Sequence, residues 1–290
     1  EIQDPEGKAL LDKILRGPLQ RQPELFIQMT IPNEYQAPGK FNIGITAGIE
    51  TTVPRAEWLE GLNRMNVNFL LSKHVQDVFE AANYTKKLPN GQTEELKVKT
   101  PMAVANWSAD TRVYKKTSER VATVDEALAD IKEDFGFLFV GQWTGGNIKG
   151  DRKAIGYLVK TFLETFANVN NPPCLIVKTS GAQICVMDRY ECLSRINDIT
   201  NMVKQSMPSA KLPSVYLLHG ELSDVEMNAL FNHDKVKVHV SFTHGEGFGH
   251  PMLLATLSGK PLLAPNWSGQ LDFLNPRYAN LLPGSLVPVP

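Results

Sequence analysis

The chain has 290 residues, 42% hydrophobic and 21% charged, with 30 Lys and Arg against 31 Asp and Glu and a formal net charge of −1. That length suits one large core or two ordinary ones of about 100 to 150 residues each. The balance of signs argues against a general nucleic-acid footprint, which needs surplus Lys and Arg to displace counterions, and leaves room only for a local basic patch; the lack of any apolar run near the roughly 18 to 20 residues of a membrane span means that none is expected.

In chain order, Leu25 to Met29 and Phe41 to Thr46 read as strands, Arg55 to Met65 as a helix, Val67 to Leu71 as a strand and Lys73 to Ala82 as a helix. This is an α/β rhythm. Residues 84–122 break it with a polar excursion that holds a Pro89-Asn-Gly91 turn signal and the basic cluster Arg112, Lys115, Lys116 and Arg120. Thr123-Val-Asp-Glu126 is a capping-box pattern that opens a helix to about Lys132, and the domain boundary is expected just after it, dividing the chain into 1–133 and 134–290.

From Asp134 onward apolar strands alternate with amphipathic helices, the mark of a parallel sheet covered by helices. Phe135 to Val140 is a strand, and Ile155, Leu158, Val159, Phe162, Leu163 and Phe166 share one helical face. Leu175 to Val177 is the next strand, followed by a helix from about Asp188 to Met207 and the strand Val215 to Leu218. Ser223-Asp-Val-Glu226 is a second capping box, opening the helix of Met227, Leu230 and Phe231. Strand Val236 to Phe242, a short helix from Pro251 to Gly259 and strand Leu262 to Ala264 complete the series. Cys174, Cys185 and Cys192 are odd in number and form no C-x-x-C pair, which fits a reducing, cytoplasmic setting. The chain opens on Glu1 and closes without an element at Val287 to Pro290, so it is read as incomplete at both ends.

The strongest chemical signal is Ser241-Phe-Thr-His-Gly-Glu-Gly-Phe-Gly-His-Pro251. A buried strand runs into the alternating glycines Gly245, Gly247 and Gly249 and then into a proline-started helix. Glycine lets main chain approach a ligand closely, and helix-start N–H groups face an anion, which suits a diphosphate. Glu246, inside that loop, suits an uncharged sugar hydroxyl. The competing reading is a tight turn whose glutamate caps the helix. Gly141 to Gly146 is followed by Asn147-Ile148 where a P-loop needs Lys and Ser or Thr, and His239, His244 and His250 follow no regular metal-ligand spacing. Of these histidines, His244 is the best candidate for a reacting site.

The run Glu246-Gly-Phe-Gly-His-Pro251, continued by Ala255, Gly259-Lys-Pro261 and Ala264-Pro-Asn-Trp-Ser-Gly-Gln270, resembles the donor-site region of retaining nucleotide-sugar glycosyltransferases of the GT-B fold. Phe139-Val-Gly141 leading to Lys149-Gly150, and Leu175-Ile-Val-Lys178, agree with that family's strands. Gly44 to Thr51, Trp58 to Asn63 and Ser72-Lys-His-Val75 resemble the end of its acceptor domain. The wording is closest to versions in large tailed bacteriophages.

The resemblance implies two Rossmann-like domains facing a cleft, the first incomplete at its start, and a nucleotide-sugar donor with no other cofactor. It implies that Lys149 contacts the diphosphate, that Lys178 reaches the same phosphates or the sugar, that the Glu221-Leu222 turn borders the base, and that the Gly245 to Gly249 loop, including Phe248, lines the donor. Glu246 would face the transferred sugar. Glu246, His244 and Glu50 are the expected catalytic residues; Glu50 in the Gly-Ile-Glu-Thr turn and His74 at a helix start would face the cleft from the acceptor side, with helix capping and ordinary surface polarity as the competing readings. Two positions depart from the family: Leu254 stands where a ribose-binding glutamate is usual, and Gln142 where an arginine is usual. The expected activity is metal-independent hexosyl transfer to an acceptor that the sequence leaves open, along with the oligomeric state. A non-catalytic module that keeps the fold, or a sugar transferase acting on modified phage DNA through the Arg112 to Arg120 cluster, are the alternatives.

Overall fold

The computed structural model describes residues 5–11, 13–14, 21–145, 148, 150–181 and 183–288. Its described residues fall into two compact units, each on its own main sheet. The first draws on Glu1–Thr46, Pro54–Phe69 and Phe79–Ala103, and the second on Ala47–Val53, Leu70–Val78 and Val104–Pro290.

In the first part of the chain, α1 (Pro5–Leu11) precedes β1 (Leu25–Met29), β2 (Phe41–Thr46), α2 (Ala56–Leu62), β3 (Val67–Leu70) and α3 (Lys73–Ala81). A hairpin of β4 (Tyr84–Lys87) and β5 (Thr93–Leu96) follows, then β6 (Met102–Val104), and the sheet order is β1-β2-β3-β6. The expected excursion is thus corrected at its centre. The buried Asn68 amide donates to the Leu62 carbonyl and to Thr100 Oγ1, and its backbone N–H donates to the Pro101 carbonyl, so the polar stretch is drawn into the sheet and the α/β rhythm resumes at Met102. The Pro89-Asn-Gly91 signal does close the hairpin, with the Gly91 N–H donating to the Leu88 carbonyl.

The second unit contains α4 (Ala122–Ala127), β7 (Gly136–Val140), α5 (Ile155–Thr165), β8 (Cys174–Lys178), α6 (Val186–Ser206), β9 (Val215–Leu218), α7 (Asp224–Asn232), β10 (Val236–Val240), α8 (His250–Thr256), β11 (Leu262–Pro265) and β12 (Asn280–Leu282). Its sheet has the order β12-β11-β10-β7-β8-β9, with parallel pairings throughout. Successive side chains of a strand point to opposite faces, so both faces of a covered parallel sheet must be apolar. Leu138 and Ile176 pack with Val124, Leu128, Leu230 and Phe231 in one core, while Phe139, Leu175 and Val177 pack with Ile155, Val159, Phe162 and Ile199 in another.

Of the two capping boxes, only that at Ser223 forms: the Ser223 N–H donates to Glu226 Oε2 at 2.8 Å, and Ser223 Oγ accepts the Glu226 N–H. The Thr123 box does not. Helix α4 starts two residues earlier than that box would set it, behind Val121 without a side-chain cap, and the Thr123 hydroxyl instead donates to Glu226 Oε1 at 2.6 Å. The edge strand β12, at the far side of β11, was not expected from the sequence.

Topology positions the site. From β7 the chain winds through β8 to β9, then returns to place β10 on the opposite side of β7 and continues outward through β11 to β12. The carboxyl ends of β7 and β10 therefore flank the point where the winding reverses, the place where open α/β sheets form a ligand crevice. The chain leaves β7 there at Gly141, and β10 at Ser241.

Candidate functional site at the sheet reversal

The loop after β10 is held by short local bonds and by contact with its own chain. Thr243 Oγ1 donates to the Gly245 carbonyl at 2.9 Å, and the His244 N–H donates to the Arg152 carbonyl at 2.8 Å. A Cβ at Gly247 would lie 2.3 Å from the Ala47 carbonyl oxygen, and one at Gly245 the same distance from that of Glu50. Gly249 takes φ 90°. The glycine alternation that reads as room for a ligand is thus required by main-chain packing within the unit itself. Ser72 Oγ donates to the Gly247 carbonyl at 2.5 Å.

Glu246 does not cap α8, whose N-cap is Gly249 without a side-chain bond. Its side chain is only 10% exposed and pairs with Lys153 Nζ, while Arg152 Nη1 lies 3.5 Å from its other oxygen. The loop backbone is clamped as well: the Glu246 N–H donates to Ser268 Oγ at 2.9 Å, and the Gly269 N–H donates to the Glu246 carbonyl at 2.9 Å. Ser268 occupies φ 71°, ψ −159°, a region that costs a non-glycine residue about 1 to 3 kcal/mol. The buried Gln270 takes up the Ser268 hydroxyl on Oε1 and donates to the Pro265 carbonyl.

Arg152 and Lys153 are the residues that sequence reasoning passed over. Their placement follows from Asp151, a buried carboxylate that accepts the Ile155 N–H at 2.6 Å and the Lys153 N–H at 3.0 Å and so anchors the turn into α5. Burial pushes the Asp151 carboxyl above its ordinary range, against the lowering effect of those N–H donors. The legible signal was a basic doublet between an acidic cap and the apolar face of α5. Arg152 Nη1 also lies 3.2 Å from Glu50 Oε1 and 3.1 Å from the Gly245 carbonyl. Glu50, Arg152, Lys153 and Glu246 thus form one charge cluster.

The other expected residues divide. Lys149 lies outside the described residues. Lys178 ends β8 and donates from Nζ to the Gly220 carbonyl at 2.6 Å, with burial lowering its pKa and Glu221 opposing that shift. It therefore ties down the turn that carries Glu221 and Leu222. His244 is exposed, with its ring edge-on to Tyr157. His74 meets Trp267 edge-on, and burial lowers its pKa against the charges of Asp77, Asp272 and Glu50. Phe248 is buried against Phe273, and Leu254 is 9% exposed within the core of Leu128, Leu230 and Phe231, with Leu222 packed on the same core. Gln142 is exposed. His239 is buried against Ser258 and held neutral, its pKa about 3, by burial and the charge of Lys260.

Farther along the sheet, the buried Asp188 carboxylate accepts the Gly181 N–H at 2.9 Å and His219 Nε2 at 2.6 Å, joining the loops after β8 and β9. Arg112 and Arg120, from the basic cluster, pair with Asp110 and with Asp125 and Asp234. Among the described residues no helix is long and apolar enough to cross a membrane, and no group of three His, Cys, Asp or Glu side chains is arranged to hold a metal ion.

No family model and no curated protein sequence matches the chain. Its fold does match solved structures. The trehalose-6-phosphate protein from E. coli bound with UDP-2-fluoro glucose superposes with a TM-score of 0.57 at 12% identity, covering 92% of this chain and 64% of that one. A trehalose-6-phosphate synthase studied with bisubstrate glycomimetics gives 0.60 at 13% identity, covering 96% and 66%. Sucrose-phosphate synthase from Thermosynechococcus elongatus gives 0.60 at 13%, covering 90% and 60%. The chain spans less than two thirds of the length of each. The α/β architecture of GT-B type expected from the sequence is the fold these structures share with it.

Proposed function

We propose that this chain belongs to a GT-B glycosyltransferase that takes its sugar from a nucleoside diphosphate sugar. The observation that carries this reading is the meeting of Arg152, Lys153 and Glu246 at the carboxyl ends of β7 and β10, where the sheet order reverses. Departure of a nucleoside diphosphate builds negative charge on the leaving phosphate, and fixed cations placed where that charge develops lower the barrier. Arg152 and Lys153 supply them, with Lys149 as a further cation implied by the family resemblance. Glu246, fixed by Ser268 and Gly269, faces the sugar hydroxyls, and the turn held by Lys178 borders the base. In this reading transfer retains anomeric configuration, needs no metal, delivers a hexosyl group and takes place in the cytoplasm; its acceptor is open.

The test is a thermal-shift titration with UDP, GDP and ADP. Saturation to one hundred times Kd stabilises by about 2.7 kcal/mol, and no shift with any of the three would remove the donor site. With a donor identified, Glu246→Gln should lower transfer by about a hundred-fold to a thousand-fold while nucleoside diphosphate binding persists. Negligible turnover by both wild type and variant, with binding intact, would favour a non-catalytic module. Loss of transfer in EDTA with recovery in Mg²⁺ or Mn²⁺ would refute the metal-free account of leaving-group stabilisation.

A further inference from the structure

The charge cluster at the sheet reversal is balanced within itself: two cations, Arg152 and Lys153, face two carboxylates, Glu50 and Glu246. Among the described residues, an incoming anion must therefore compete with these two carboxylates for the cations. The two halves of the cluster are unequal. Lys153 and Glu246 are 14% and 10% exposed and form a close inner pair, whereas Arg152 and Glu50 are 45% and 34% exposed. Arg152 meets Glu50, Glu246 and the Gly245 carbonyl all through Nη1, at 3.2, 3.5 and 3.1 Å, a shared contact rather than the two-pronged fork that makes a strong arginine–carboxylate pair. Its main chain is fixed by the His244 N–H and by the Asp151 anchor of the next residue. Exchange of partners thus requires only that the guanidinium swing.

We infer that Glu50 is a gate on the anion site. It holds Arg152 while the site is empty and yields it to the phosphate of an arriving donor, so that affinity is set by competition between this carboxylate and the ligand. The inference rests on the reading of the site as a nucleoside diphosphate site. It assigns Glu50 a role in donor affinity, distinct from the acceptor-side role expected from its place in the Gly-Ile-Glu-Thr turn. Its consequence runs against intuition for a residue beside a binding site: removing its charge should tighten binding.

The experiment is calorimetric titration of wild type, Glu50→Gln, Arg152→Gln and the double variant with UDP, GDP, ADP and inorganic pyrophosphate. Glu50→Gln should tighten the bound anion by about two- to five-fold, the range expected for a half-exposed ion pair, and the gain should shrink as salt is raised. In the Arg152→Gln background the same change should have no effect, which separates a gate from a general gain of positive charge. Glu50→Asp, which shortens the reach to Arg152, provides a second variant and should tighten binding in the same direction. If a nucleoside diphosphate binds wild type but Glu50→Gln binds it equally or more weakly, or if the gain persists without Arg152, the gate is overturned and the donor-site reading stands. If no nucleoside diphosphate binds but pyrophosphate does, and Glu50→Gln tightens it, the gate stands and the donor-site reading falls. If neither binds, both fall.

Discussion

Leu254 occupies the position where the family resemblance leads one to expect a ribose-binding carboxylate, so Leu254→Glu looks at first like a restoration. The structure predicts damage. The side chain is 9% exposed and packs among Leu128, Leu230 and Phe231. A carboxyl there must be kept neutral; at pH 7, about 2.7 units above an ordinary glutamate pKa, this costs about 3.7 kcal/mol, and the lost apolar burial adds about 2 kcal/mol. The total, about 5 to 6 kcal/mol, rivals the whole stability of many domains, about 5 to 15 kcal/mol. Burial raises the folded-state pKa of the new group, so its penalty is absent below the unfolded value and grows as pH rises above it. At pH 5 the protonation part falls to about 1 kcal/mol. Urea unfolding of wild type, Leu254→Glu and Leu254→Ala at both pH values reads this directly. Leu254→Ala should lose about 2 to 5 kcal/mol at either pH, and Leu254→Glu should recover much of its deficit in acid. An unchanged urea midpoint at pH 7 together with tighter nucleoside diphosphate binding would show that the side chain faces the ligand and refute the reasoning.

Ser223→Ala breaks the capping box at α7 and should lower stability by about 1 kcal/mol in denaturant titrations, with no change in anion binding. Gly247→Ala forces a methyl against the Ala47 carbonyl; thermal unfolding should report a lower midpoint, and the same change at Gly284, where an added Cβ has open space, should not. Asp188 is pushed up by burial but more strongly held down by His219, the Gly181 N–H and the Arg195 charge, so its carboxyl titrates below its ordinary value. Its stabilising effect is full above about pH 4 and is lost as pH falls through the depressed value; Asp188→Asn should therefore flatten the acid limb of a stability curve, and an unaltered limb would count against the Asp188–His219 bond as its origin.

The second half of the chain was legible because its physics is local and periodic. Strands such as Leu175 to Val177 are apolar at every position when both faces are covered, and α5 shows a clean stripe from Ile155 to Phe162. The expected excursion was misjudged at Met102–Val104, since a three-residue strand carries little pattern and its inclusion depends on Asn68, whose sequence gives no hint of the bonds its amide makes. Thr123 and Ser223 carry the same box spacing, and only tertiary placement decides that Glu226 serves both hydroxyls. In the site, the Gly245 to Gly249 loop and Glu246 stood out through residue type, but their partners did not. Arg152 and Lys153 look like ordinary surface charges until Asp151 turns the chain, and the glycines answer to Ala47 and Glu50, about two hundred residues earlier. Residue type marks a loop, while proximity across the fold is invisible to spacing.

That distance in sequence has a kinetic meaning. The Ser72 to Gly247 bond closes a ring of 175 residues, and the Lys153 to Glu246 pair closes one of 93. Closure entropy rises slowly with ring size, by about 0.6 kcal/mol per doubling, but it is incurred before any single contact rewards it. The β7–β8 pairing is far closer in sequence, whereas docking of β10 on β7, with Val236 opposite Gly136, closes a ring as long as that of the Lys153–Glu246 pair, so the charge cluster is expected to form with or after that docking. By the same order it is expected to open before the β7–β8 pairing does. Native-state hydrogen exchange should therefore release the Gly269 amide, bonded to the Glu246 carbonyl, at a lower opening free energy than the amides of β8.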